Sequence, residues 1–235
     1  MQRESRIPEG VWQKCQGCGE LIFIKDLIRN LKVCPKCRFH FPMDAEEYLE
    51  LLAGRRSFSP LGGAFHPPST VVGLASIRRI RVVIAILDPH AEKLPEHDVY
   101  RSVACAFEAA VEHKLPLITV TPGGLFMNGG KEERTLESIV LMDKASLEFG
   151  KAGLMHISVL TRPDPTYDFA NLIPLGDLVF AEPRGRADEI GKVNPTELYS
   201  IPSRDKLIDR FVERKDLEET TWLVLKWLRS YKYSG

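Results

Sequence analysis

The chain has 235 residues, 44% of them hydrophobic, which suits one ordinary domain with a small appended module. Its 32 lysines and arginines balance 32 aspartates and glutamates, so the charge excess of a nucleic-acid-binding protein is absent. The opening Met1-Gln2-Arg3-Glu4-Ser5 has no apolar leader core and no run of eighteen apolar residues follows, so the expectation is a reduced, cytoplasmic chain without a membrane span.

In chain order, the first signal is a pair of Cys-x-x-Cys knuckles, Cys15-Gln16-Gly17-Cys18 and Cys34-Pro35-Lys36-Cys37. Their spacing supplies four thiolates, the closed tetrahedral set of a structural Zn²⁺ rather than a catalytic one with an open position. In a reduced compartment this reading displaces two disulfides. Gly17 and Gly19 are expected to give the knuckle its left-handed turn, with short strands at Leu21-Ile22-Phe23-Ile24 and Lys32-Val33. Residues 1–41 carry eight basic against four acidic side chains; four thiolates with one Zn²⁺ bring about −2, leaving about +2, a mild bias. His40 beside the knuckles is expected to stack on or hydrogen-bond a thiolate.

Asp44 heads a helix over Met43–Leu52 that ends at Gly54, and Pro60, Gly62, Gly63, Pro67 and Pro68 mark residues 57–69 as a linker. Thr70–Leu74 and Ile80–Leu87 read as a hairpin around a basic turn. Helices and strands then alternate: a helix from Val99 to His113, a strand from Leu115 to Val120, a helix from Thr135 to Lys151, and strands from Met155 to Leu160 and Asp177 to Ala181. A short helix near Asp205–Val212 and an amphipathic one from Leu217 to Trp227 close the chain. Such alternation argues an α/β domain with parallel pairing, whose ligands lie where loops leave the carboxyl ends of strands. The loops meant are Thr121–Arg134 and Thr161–Tyr167. Cys105, on a small-residue helical face, reads as a buried thiol, and Ser158 as a core residue.

Several stretches together resemble one family. Pro8-Glu9-Gly10-Val11-Trp12-Gln13-Lys14-Cys15, Asn30-Leu31-Lys32-Val33-Cys34-Pro35-Lys36-Cys37 and His40 are similar to the zinc ribbon of the β subunit of the acetyl-CoA carboxylase carboxyltransferase. Pro116-Leu117-Ile118 with Gly123-Gly124, His156 to Thr161, Leu175-Gly176-Asp177-Leu178 with Ala181-Glu182-Pro183, and Leu207-Ile208-Asp209 with Val212 and Arg214 follow in that family's order. The resemblance implies a crotonase-like fold of ββα units behind the ribbon, divided as 1–41 (ribbon), 42–69 (helix and linker) and 70–235 (carboxyltransferase domain). It implies transfer of a carboxyl group from carboxybiotin, on a separate carrier protein, to an acyl-CoA such as acetyl-CoA, in fatty acid synthesis. An α-like subunit or self-association would complete the site, and Gly123 and Gly124 are the candidate amide donors to an enolate oxygen, which a side chain would obstruct.

The glycine-lined loops depart from the family's pattern. Residues 88–95 read Asp-Pro-His-Ala-Glu-Lys-Leu-Pro, Leu125-Phe126-Met127 follows the glycine pair, Asp164-Pro165-Thr166-Tyr167-Asp168 stands where the family has small residues, and a Gly-Phe-Ala-Gly-Pro-Arg segment is shortened to Gly191-Lys192-Val193-Asn194-Pro195. Proline donates no N–H. The alternatives are therefore a subunit with altered chemistry, a catalytically silent scaffold or interaction subunit, and an RNA-binding ribbon, the last disfavoured by the charge balance.

Overall fold

The structure is a computed structural model, and it describes residues 11–61, 70–87, 96–122, 136–161, 176–183 and 208–232. The amino-terminal part is a two-stranded antiparallel ribbon, β1 (Trp12–Lys14) against β2 (Leu21–Phe23), followed by a short helix α1 (Ile24–Arg29). Ile24 thus begins a helix instead of ending a strand, and Lys32-Val33 contributes only an isolated bridge, Val33 to His40. Cys15, Ile22, Leu27, Cys34 and Phe41 form its own small core.

Helix α2 (Ala45–Leu52) starts where the sequence places it, because Asp44 and Glu47 form a capping box: Glu47 N–H donates to Asp44 Oδ1 and Asp44 N–H to Glu47 Oε2, each at 2.8 Å. The linker reading fails at its start. Ser59–Pro60 is an edge strand, β3, on β4 (Thr70–Ile77), where a proline without an N–H is tolerated. Close approach is the condition for this pairing: a Cβ on Gly73 would meet Ser59 O at 2.4 Å. The hairpin of β4 with β5 (Ile80–Leu87) pairs Ile77 with Ile80 across Arg78 and Arg79, whose φ angles of 43° and 73° make the tight left-handed turn that suits strand twist.

The remaining strands pair parallel: β5 with β6 (Leu117–Pro122), β6 with β7 (His156–Thr161), β7 with β8 (Leu178–Ala181), and β8 with β9 (Arg210–Phe211). The resulting seven-stranded sheet runs β3 to β9 in chain order. Period-2 alternation splits β5 between two cores. Val82, Ile84 and Ile86 face α2 and the carboxyl-terminal helix α5 (Leu217–Lys232), while Val83, Ala85 and Leu87 face α3 (Glu96–His113) and α4 (Leu136–Lys151). Burial on both faces is why this strand reads as an unbroken apolar run.

The short helix expected near Asp205–Val212 is, over its described residues, the strand β9. Asp209 N–H donates to Val179 O at 2.9 Å, Asp209 Oδ2 accepts from Val179 N–H at 2.8 Å, and Val212 N–H donates to Ala181 O at 2.8 Å, so the edge of β8 captures this segment. Cys105 is half-buried on α3, more open than expected, and burial pushes its thiol pKa up. None of the helices among the described residues is long and apolar enough to cross a membrane.

Candidate functional site

The two knuckles fold alike. Cys15 N–H donates to Glu20 O and Cys34 N–H to Phe39 O, both at 2.8 Å, while Gly19 N–H and Arg38 N–H return to Cys15 O (2.8 Å) and Cys34 O (2.9 Å). Gly19 (φ 75°) and Arg38 (φ 63°) occupy the same left-handed position in each. Gly17 matters for space rather than for φ, since a Cβ there would lie 2.9 Å from Phe39 Cβ and 3.1 Å from Cys37 Sγ.

This geometry brings the four Sγ atoms of Cys15, Cys18, Cys34 and Cys37 within 4.8 Å of one another, with Cys15–Cys37 at 3.6 Å and Cys18–Cys34 at 3.9 Å. A tetrahedron with Zn–S bonds of about 2.3 Å has edges of about 3.8 Å, so the donor set fits Zn²⁺. The backbone supports the negative charge. Burial pushes Cys34 up, but N–H groups of Cys37 (3.5 Å) and Lys36 (3.4 Å) aimed at its sulfur bring its pKa below the ordinary thiol value. Before the charge of an ion is counted, burial pushes Cys37 up to about 12, so a cation is what makes four thiolates stable there.

His40 does not turn toward the sulfurs. It joins a buried network that ties the ribbon to the sheet. Arg214 donates from Nε to Glu182 Oε1 at 2.8 Å and from Nη2 to Oε2 at 2.7 Å, and its Nη1 donates to the ribbon carbonyls Leu31 O (2.8 Å) and Phe41 O (3.1 Å). Tyr48 of α2 donates its hydroxyl to Glu182 Oε1 at 3.1 Å and accepts from Arg214 Nη2 at 3.2 Å; His40 Nδ1 lies 3.1 Å from Glu182 Oε2. Arg214, Glu182, Tyr48 and His40 are all buried. Burial alone pushes Glu182 up, but Arg214, with His40 behind it, holds its carboxyl below the usual range; burial and the Glu182 charge keep Tyr48 a phenol. At the rim, Arg38 pairs with Glu213, and Lys32 with Glu47 at 2.6 Å. The sequence shows Glu182 and Arg214 as residues in the family's order, but nothing in their spacing announces a pair.

Glu182 follows β8 at the carboxyl end of the parallel strands. The register sets Pro122, the end of β6, beside Thr161, the end of β7, and Ile86 near the end of β5 beside Val120. The carboxyl ends of β5, β6 and β7 therefore lie side by side. Gly123, Gly124 and the departing segments 88–95, 125–130, 164–168 and 191–195 lie outside the described residues. Inside the sheet, Thr119 Oγ1 is 2.9 Å from His156 Nε2 and 3.2 Å from Ser158 Oγ, and Ser158 Oγ accepts from Gly176 N–H at 2.8 Å. This cross-strand rung is buried, and burial lowers the His156 pKa to about 4, so the ring is neutral near pH 7. Ser158 is a core residue, as its strand context predicts.

Comparison with known proteins gives these features a common origin. The acetyl-CoA carboxylase zinc finger domain matches residues 12–37, which include all four cysteines. The acetyl-coenzyme A carboxylase carboxyl transferase subunit beta of Desulforudis audaxviator is 32% identical over 93% of this chain and 86% of its own length. The chain belongs to the acetyl-CoA carboxylase carboxyltransferase β-subunit family. The Carboxydothermus hydrogenoformans subunit of the same name is 28% identical over 96% of this chain and 92% of its own. The crystal structure of transcarboxylase 12S with methylmalonyl-coenzyme A matches 81% of this chain at a TM-score of 0.58 and 14% identity. This chain spans 42% of that one, and the match establishes the shared fold, that of the crotonase-like carboxyltransferases with a zinc ribbon in front.

Proposed function

We propose that this protein is the β-type half of a biotin-dependent carboxyltransferase, acting in the cytoplasm with an α-like subunit to convert acetyl-CoA to malonyl-CoA for fatty acid synthesis. The observation that carries the reading is the family match over nearly the whole chain, joined to a sheet in which β5, β6 and β7 end side by side. In the organisation we assign, residues 1–41 form the ribbon, 42–69 the connecting helix and linker, and 70–235 the carboxyltransferase domain.

Biotin on its carrier would supply the activated carboxyl group. Its N–C bond breaks, a C–C bond forms at the acetyl methyl carbon, and the proton lost from that carbon ends on the biotin nitrogen. Gly123 and Gly124 are our assignment for the backbone N–H donors that hold the enolate oxygen of the thioester. A side chain at either position would occupy the space the oxygen needs. The ribbon zinc has a structural role, because its four thiolates leave no open coordination position.

The test mixes the purified chain with its α-like partner, carboxybiotin and acetyl-CoA. Malonyl-CoA should form, and Gly124→Val, whose side chain keeps the oxygen from one backbone donor, should slow it by about 100- to 1,000-fold, the usual effect of one oxyanion donor. The altered loops, with Pro89, Pro163, Pro165 and Tyr167, favour the second reading, a silent interaction subunit. Absence of turnover with any short acyl-CoA, together with stable binding to the α-like partner, establishes that second reading and ends the first.

A further inference from the structure

A groove of about 910 Å³ opens where β5, β6 and β7 begin, at the opposite end of the sheet from Pro122 and Thr161. Its apolar surface includes the half-buried Ile80, Leu154, Met155 and Leu228. Around it stand Arg79 and Arg81 from the hairpin, Arg229 from α5 and Lys114 after α3, all exposed. Lys114 also faces the carboxyl end of a helix, where a cation is favourable in any case, so the three arginines carry the argument. Among the described residues none of the three makes an ion pair, whereas the neighbouring Arg78 is bound by Glu218 at 3.0 Å. The acid among the lining residues, Asp177, already accepts from His156 N–H at 2.8 Å.

Apolar lining plus a few convergent charges, in a volume of this size, is the composition of a small-molecule site. Three guanidinium groups without described acidic partners select an anion, and the surface beneath them selects an apolar body. We propose that this groove binds an amphipathic organic anion, an apolar body carrying a carboxylate or phosphate, with its head on Arg79, Arg81 and Arg229. The site is remote from the carboxyl ends of the strands, so such a ligand binds without competing for a ligand held there.

Calorimetric titration of the full zinc-loaded chain with dodecanoate and with dodecyl phosphate, both below their micellar concentrations, tests this. One site per chain with a Kd of about 10 to 100 µM is expected. Inorganic phosphate and dodecyltrimethylammonium should not bind, and the tighter of the two anions identifies the head group. Arg81→Glu/Arg229→Glu should weaken binding by roughly tenfold or more without moving the thermal midpoint. Ser146→Trp, which fills the groove from α4, should weaken it independently. Three results would each overturn the proposal: no binding of either anion, equal binding of the cationic detergent, or affinity unchanged in both variants. Sedimentation of the arginine variant covers one more occupant, because loss of self-association without anion binding would show the groove to be an interface between copies.

Discussion

Arg214 and Glu182 are the residues on which the ribbon and the sheet depend jointly. A buried pair adds little against an apolar substitute, but removing one partner strands the other charge. Arg214→Leu should therefore destabilise the chain by about 3 to 5 kcal/mol in urea unfolding, and Arg214→Leu/Glu182→Leu by distinctly less. A double variant no more stable than the single one would show that the charge is not what matters. His156 gives a second test at this scale. Its pKa falls from 6.5 in the unfolded chain to about 4 in the fold, so below pH 6.5 the unfolded state takes a proton that the folded state refuses. Stability is then lost as pH drops from 6.5 toward 4, by about 3 kcal/mol in total. His156→Gln should remove that part of the pH dependence. Glu182, whose folded pKa is lowered, acts in the same direction but starts below about 4.5, so between 6.5 and 4.5 the loss that His156→Gln removes belongs to the histidine and not to Glu182.

Among the elements, the ribbon is the one that depends on a metal. Its core of five buried residues is too small to hold a fold by itself, and zinc binding supplies folding free energy directly. Purified reduced protein should contain one zinc per chain, and Cys34→Ser should lose it. The consequence reaches further than the ribbon, because Arg214 Nη1 donates to Leu31 O and Phe41 O. Chelation should lower the thermal midpoint of the whole chain, measured by calorimetry. A separate low-temperature transition with an unchanged main one would show the two parts to be uncoupled.

For the whole molecule, the open question is assembly. Leu217, Trp222, Leu225, Trp227 and Leu228 are more large apolar surface than a lone terminal helix usually hides, but Leu217 and Leu225 are buried in the chain's own core and Trp222 packs beside Arg78. What stays outside is smaller: Leu223 at 51% and Trp227 at 63% exposure, four residues apart on one side of the helix. We expect self-association at roughly tens of micromolar through this side, seen by sedimentation velocity. Leu223→Glu should shift the chain to monomer with its circular dichroism unchanged. A wild-type chain that sediments as a monomer would leave this face for the α-like partner.

The sequence by itself determined whatever depends on short spacing. The Cys-x-x-Cys knuckles set the metal site, Asp44 and Glu47 start α2, and apolar runs such as Ile80–Leu87 declare strands buried on both faces, because in each case the pattern that specifies the feature is written within a few neighbouring residues. Contacts between distant residues were decided only by the tertiary structure. Residues 210–211 became a strand because β8 offered an unpaired edge, and Ser59–Pro60 paired because Gly73 left room for its carbonyl. Most of all, His40 turned from the thiolates to Glu182, 142 residues away, since a buried carboxylate held by Arg214 gains more from a third partner than a sulfur already supplied with backbone N–H groups.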